Sequence, residues 1–172
     1  MSLEAIKELR ELTNCGIIDC KKALAEAKGD LDKAKAILRE KGLQMALKKA
    51  SRTANEGRVE AYIHHGNKIG VIVEVNCETD FVARNEAFIV FTKDLAMHIA
   101  AMAPKYIKKD DVPADALPVE AENAEFIKAN VLLEQAFVKD ASKSIQDLLN
   151  ELIAKIGENI VIGRFIRYKI GE

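Results

Sequence analysis

The chain has 172 residues, 49% hydrophobic and 31% charged, enough for one domain or two small ones and too apolar for a disordered chain. Lys and Arg number 26 against 27 Asp and Glu, so neither the basic footprint of a general nucleic-acid binder nor a polybasic membrane patch is expected. With no Trp, 6 Phe and 3 Tyr, little material exists for base-stacking platforms.

No apolar run approaches the ~18 residues that span a bilayer, and Met1-Ser2-Leu3-Glu4 turns acidic at once rather than reading as a targeting peptide. A cytoplasmic protein is the expectation. Cys15, Cys20 and Cys77 are an odd set, so reduced thiols are expected rather than a disulfide framework. His64 and His65 are adjacent in a strand-like stretch and point to opposite faces, so four metal ligands do not assemble.

The first elements are helical. Leu3, Ile6, Leu9 and Leu12 recur at near-helical spacing, with Gly16 just past the stop. Ile17, Cys20, Ala23, Leu24 and Ala27 make a second stripe, ended by Gly29. Asp30 is the expected N-cap of a third helix bearing Leu31, Ala34, Ile37 and Leu38, with Gly42 as its C′ residue. Residues 1–42 therefore predict a three-helix bundle. Residues 43–55 predict a linker helix whose Lys48, Lys49 and Arg52 read as a solvated face rather than an RNA contact. Charge separates the parts: residues 1–55 carry net +4 and residues 56–103 net -3.

From residue 56 the period becomes two. Val59, Ala61 and Ile63 alternate with Arg58, Glu60 and Tyr62, as in a half-buried strand. Gly66-Asn67 supplies a turn, and Ile69, Val71, Val73, Val75 and Cys77 alternate back as its hairpin partner. Ile160 to Tyr168 reads as a third strand. Helices are predicted over 85–102, with Phe88, Phe91, Leu95, His98 and Met102 on one face, over 122–137, and over 144–156, ended by Gly157. Pro104, Pro113 and Pro118 mark an exposed connector. The fold class is α+β: a helical bundle, then an antiparallel core over 56–172 covered by helices.

Catalytic signatures are missing. No phosphate-binding glycine loop, nucleophile elbow or His-Glu-x-x-His pattern occurs, and Cys77 lies on an apolar strand face, as a core residue would. No enzyme activity is expected. The most informative segment is Asn76-Cys77-Glu78-Thr79-Asp80-Phe81-Val82-Ala83-Arg84-Asn85, running from a strand end to a helix start. Thr79 to Val82 should form its turn, with Asp80 bonding local backbone. Phe81 either folds back onto the helix as a staple, which turn chemistry alone favours, or stays out as an anchor for another protein.

That segment resembles the signature of the bacterial translation elongation factor Ts family. Ile6-Lys7-Glu8-Leu9-Arg10-Glu11-Leu12-Thr13, Gly16 and Asp19-Cys20-Lys21-Lys22-Ala23-Leu24 are similar to the family's N-terminal ubiquitin-associated-like bundle. Leu132-Leu133-Glu134-Gln135-Ala136-Phe137-Val138-Lys139-Asp140 and Gly157-Glu158-Asn159-Ile160 resemble its C-terminal core segments. The resemblance implies a guanine-nucleotide exchange factor that binds elongation factor Tu and promotes GDP release, so that GTP can reload. No cofactor, metal, direct nucleotide or direct nucleic-acid contact is implied.

By the same resemblance, Thr79, Asp80, Phe81 and Val82 meet the partner's nucleotide domain. Lys7, Arg10, Ile17, Ile18 and Lys21 contact it from the bundle, and His98-Ile99-Ala100 matches the family's His-Val-Ala motif. Periodicity alone makes His98 a core-stripe residue. The chain has one copy of a core that long relatives carry twice, which implies a homodimer. It departs from the family in three places: Ile17-Ile18 stands for Met-Met, Asn14-Cys15-Gly16 for Gly-Ala-Gly, and the connector between Pro104 and Asn130 is shorter.

Overall fold

A computed structural model describes residues 2–13, 15–116 and 123–172. Met1, Asn14, Pro118 and the first position of the predicted 122–137 helix lie outside the described residues. Three helices come first: α1 (Leu3–Thr13), α2 (Ile17–Glu26) and α3 (Leu31–Lys49). They bury Leu9, Cys20, Ala23, Leu24, Ala34 and Leu38 in a core of their own. Asp30 caps α3 as expected, its Oδ1 accepting the N–H groups of Asp32 and Lys33 at 3.0 Å.

The predicted stop at Gly42 is not there. α3 runs on through it to Lys49, absorbing the segment read as a separate linker helix. The reason is tertiary: a Cβ at Gly42 would sit 3.7 Å from the Asn150 carbonyl oxygen and 3.9 Å from Ala154 Cβ. Both belong to a later helix, α7 (Ile145–Ile156), whose packing against α3 at this point holds the chain helical past the glycine. Arg39 reinforces this crossing with a bidentate pair to Asp147, at 2.8 and 2.7 Å. Lys49 Nζ donates to the Gly157 carbonyl. α3 is thus the spine shared by bundle and core.

The second core is built on an antiparallel sheet in the order β1 (Glu56–Ile63), β2 (Ile69–Cys77), β5 (Ile160–Lys169). The hairpin loop between β1 and β2 places Gly66 and Asn67 at positive φ, 89° and 57°. His64 and His65 fall in this loop rather than in a strand, and the Tyr62 hydroxyl lies 3.0 Å from His64 Nδ1. β2 buries Val71, Val73, Val75 and Cys77 as its alternation predicts.

β1 half-buries the opposite half of its alternation. Tyr62, Glu60 and Arg58 pair across from Val71, Val73 and Val75 and so share the covered face. Val59 and Ile63 are 64% and 63% exposed. The covered polar groups find partners: Arg58 Nε bonds Glu60 Oε2 at 2.8 Å, and the Thr92 hydroxyl donates to the same oxygen at 3.4 Å.

Helices cover one face of the sheet. A single turn, α4 (Asp80–Ala83), follows β2, and α5 (Glu86–Met102) follows with Asn85 as its N-cap. α5 buries Phe88, Phe91, Leu95 and Ile99 against the sheet, and α7 packs beside it. α7 opens on a capping box between Ser144 and Asp147 and closes on Gly157 at φ 87°, the stop read from sequence.

The predicted 122–137 helix is shorter. α6 is Asn123–Asn130, after which the chain turns over Leu132–Glu134 into a two-stranded hairpin, β3 (Ala136–Phe137) and β4 (Asp140–Ser144). Val131 leaves the helix because it bridges Tyr106, and Leu132 N–H donates to the Tyr106 carbonyl at 2.8 Å. For the same reason the connector is not wholly exposed: Pro104 is buried and Ile107 packs on the core.

Candidate functional site

The turn after β2 is tightly determined. Both of β2's ladders end at Cys77, so the next N–H groups need other acceptors. Glu158 supplies them: its Oε2 accepts from Glu78 N–H at 3.1 Å and Thr79 N–H at 3.0 Å, and its Oε1 accepts the Thr79 hydroxyl at 2.7 Å. Thr79 Oγ1 in turn accepts from Val82 N–H at 3.4 Å and so caps α4. Cys77 Sγ donates to the Thr79 carbonyl at 3.1 Å. Burial pushes that thiol up to about 11, so it stays protonated and behaves as a core residue.

On a single helical turn, neighbouring side chains diverge by ~100°. Val82 and Ala83 pack on the core, which leaves Phe81 outward and 79% exposed. The staple does not form. Asp80 pairs with Arg84 at 2.8 Å instead of bonding the backbone, bracing the turn from its solvent side.

The bundle residues form a second patch. Lys7, Arg10, Ile17 and Ile18 line one depression at the α1–α2 turn, whose far wall is Ala154 and Lys155 of α7. Ile17 and Ile18 are 56% and 68% exposed, and Lys21 is exposed on the next turn of α2. This patch joins apolar tips to a rim of mixed charge, in which Glu11 and Asp19 stand beside Lys7, Arg10 and Lys155.

His98, Ile99 and Ala100 are a third group, and all three are buried in α5. His98 Nδ1 accepts from Val138 N–H at 3.3 Å and its Nε2 faces Gln135 Oε1 at 3.0 Å, so Nε2 carries the proton. Gln135 Nε2 donates onward to the Ala129 carbonyl at 2.6 Å. His98 therefore ties α5 to the β3–β4 hairpin, as a core-stripe residue would. It lies about 18 Å along α5 from the end that carries the turn. Sequence reasoning did not reach Glu158's role, because its partners lie some 80 positions away; the only signal was its place in a family-like segment.

Among the described residues no group of three or more His, Cys, Asp or Glu side chains could hold a metal ion, and no helix is long and apolar enough to cross a membrane. Fold and site define a class: an α+β protein with two cores, whose candidate residues fall in three groups, the turn after β2, the exposed sides of α1 and α2, and a buried stretch of α5.

Comparison with known proteins places this class. The family model described as Elongation factor TS matches residues 4–125. The chain is similar to the Elongation factor Ts of Caldanaerobacter subterraneus subsp. tengcongensis, 54% identical over an alignment that covers 100% of this chain and 98% of the relative. It is 52% identical to that of Thermoanaerobacter sp. (strain X514), covering 100% and 96%, and 50% identical to that of Geobacter metallireducens, covering 100% and 91%. The chain belongs to the elongation factor Ts family. The first alignment spans 195 residues against 172 here, so that relative carries residues this chain lacks.

Proposed function

We propose that the protein is a cytoplasmic guanine-nucleotide exchange factor: it binds elongation factor Tu, promotes GDP release and lets GTP reload. The observation that carries the reading is Phe81, a large apolar side chain held 79% exposed on a capped turn. Nothing in the fold needs it there. Exposed aromatic anchors on rigid turns are what hot spots are made of, at about 2–4 kcal/mol each.

The chemistry belongs to the partner, and the factor acts by linkage. Binding nucleotide-free elongation factor Tu more tightly than its GDP form weakens GDP by the same ratio. A thousandfold weakening is about 4 kcal/mol, within reach of one or two such anchors. In this reading Thr79, Asp80, Phe81 and Val82 act at the nucleotide domain, and Lys7, Arg10, Ile17, Ile18 and Lys21 hold the bundle against it. His98, Ile99 and Ala100 contribute by supporting the β3–β4 hairpin, whose Val138 is exposed. Residues 1–42 act as a docking unit, 43–55 as the arm joining it to the core, and 56–172 as the exchange and pairing core.

The pairing is a homodimer through the sheet's uncovered face. Ala61, Ile72 and Ile166 form a central row across the three strands, and Val59, Ile63 and Tyr168 extend the apolar area. Two such faces stacked ~10 Å apart make a β-sandwich. The function is tested by affinity: the protein should bind nucleotide-free elongation factor Tu at least about tenfold more tightly than the GDP-loaded form. Equal affinities would remove the exchange reading.

A further inference from the structure

The turn that presents Phe81 depends on a residue from the other end of the chain. We propose that Glu158 is a positioning residue for nucleotide exchange, holding the Thr79–Val82 turn in the one conformation that keeps Phe81 out. The inference rests on the exchange reading above, in which Phe81 makes the decisive contact.

The contacts are reciprocal. Glu158 reaches from the α7–β5 connection to take the N–H groups of Glu78 and Thr79 and the Thr79 hydroxyl. Glu78 answers, its Oε1 accepting from Asn159 N–H at 2.6 Å. Asn159 Nδ2 then donates to the Arg52 carbonyl at 2.7 Å, while Arg52 Nη1 lies 3.5 Å from Glu78 Oε1. Two carboxylates are thus exchanged between the end of β2 and the start of β5, with the chain leaving α3 bound in as a third strap.

Glu158 does more than cap. By accepting the Thr79 hydroxyl proton, it leaves the oxygen lone pairs free for Val82 N–H, and that bond sets the single turn of α4. α4 is four residues long and cannot hold itself. Once Val82 is drawn inward, Phe81 has only the outward direction. Without the carboxylate the turn samples other states, including one in which Phe81 folds back onto α5. A partner then meets the competent state only part of the time, and apparent affinity falls by that fraction.

The test is Glu158→Gln, which keeps size and removes the charge that strengthens all three bonds. In stimulated GDP release, the factor concentration giving half-maximal rate should rise about tenfold, while the plateau rate at saturation stays unchanged. In a Phe81→Ala background, Glu158→Gln should add nothing, because its effect passes through Phe81. In the free protein, amide exchange at Glu78 and Thr79 should accelerate about tenfold, with interior β2 and α5 amides unchanged.

An equal loss of exchange in both backgrounds, or unaltered protection of the Glu78 and Thr79 amides, overturns the proposal. So does a variant as active as wild type at low concentration. A wild type that does not accelerate GDP release contradicts the exchange reading itself, an outcome distinct from a working wild type matched by Glu158→Gln.

Discussion

Phe81 and His98 are both apolar-stripe or turn residues in the sequence, and the fold sends them to opposite fates. Phe81 follows Asp80 on a turn whose inward position goes to Val82, so it stays out. His98 sits at helical spacing with Phe91 and Leu95 and is fully buried, hydrogen-bonded at both ring nitrogens. Burial pushes its imidazole below the ordinary value of 6.5, with the Gln135 bond opposing in part. The unfolded chain therefore takes up a proton near pH 6.5 that the folded chain accepts only at lower pH. Stability from this site is complete above that value and is lost as pH falls toward the folded value. The denaturant midpoint should drop between about pH 7.5 and pH 5.5, and His98→Gln should flatten part of that slope. A His98→Gln slope identical to wild type would show that the loss arises elsewhere.

At the scale of elements, β1 and α3 show why local pattern is not enough. Val59, Ala61 and Ile63 carry the apolar half of β1, yet the register with β2 gives the covered face to Arg58, Glu60 and Tyr62. The stronger strand decides: four fully buried positions on β2 outweigh one ion pair on β1. α3 passes through Gly42 because α7 packs there, a contact more than 100 positions away that periodicity cannot register. Gly42→Ala is the direct probe. Its Cβ would meet Asn150 and Ala154 at ordinary contact distance and would gain helix propensity, so stability should rise by about 0.5–1 kcal/mol in urea unfolding. A loss of stability would show that the two helices already touch too closely for a methyl group.

At the scale of the molecule, the two cores were legible because each has its own period: helical stripes before residue 50, alternation after 56. The β3–β4 hairpin, the packed start of the connector and the Glu158 contacts were not, since each depends on groups distant in sequence. The turn itself was found by its residue types, but whether Phe81 faced in or out needed the packing of Val82. The apolar outer face of the sheet became visible only with the β1 register. Its predicted use is testable by sedimentation at physiological salt: wild type should run as a dimer and Ile72→Asp, at the centre of the face, as a monomer. Wild type sedimenting only as a monomer would remove the dimer.

In the proposed exchange, the exposed turn loosens a partner's nucleotide. Release of labelled GDP from elongation factor Tu, followed with micromolar factor and excess unlabelled nucleotide, measures it directly. Wild type should accelerate release by orders of magnitude, and Phe81→Ala, with unchanged thermal stability because the side chain is 79% exposed, should lose about tenfold or more of that acceleration. Release no faster with the factor than without it would contradict the account.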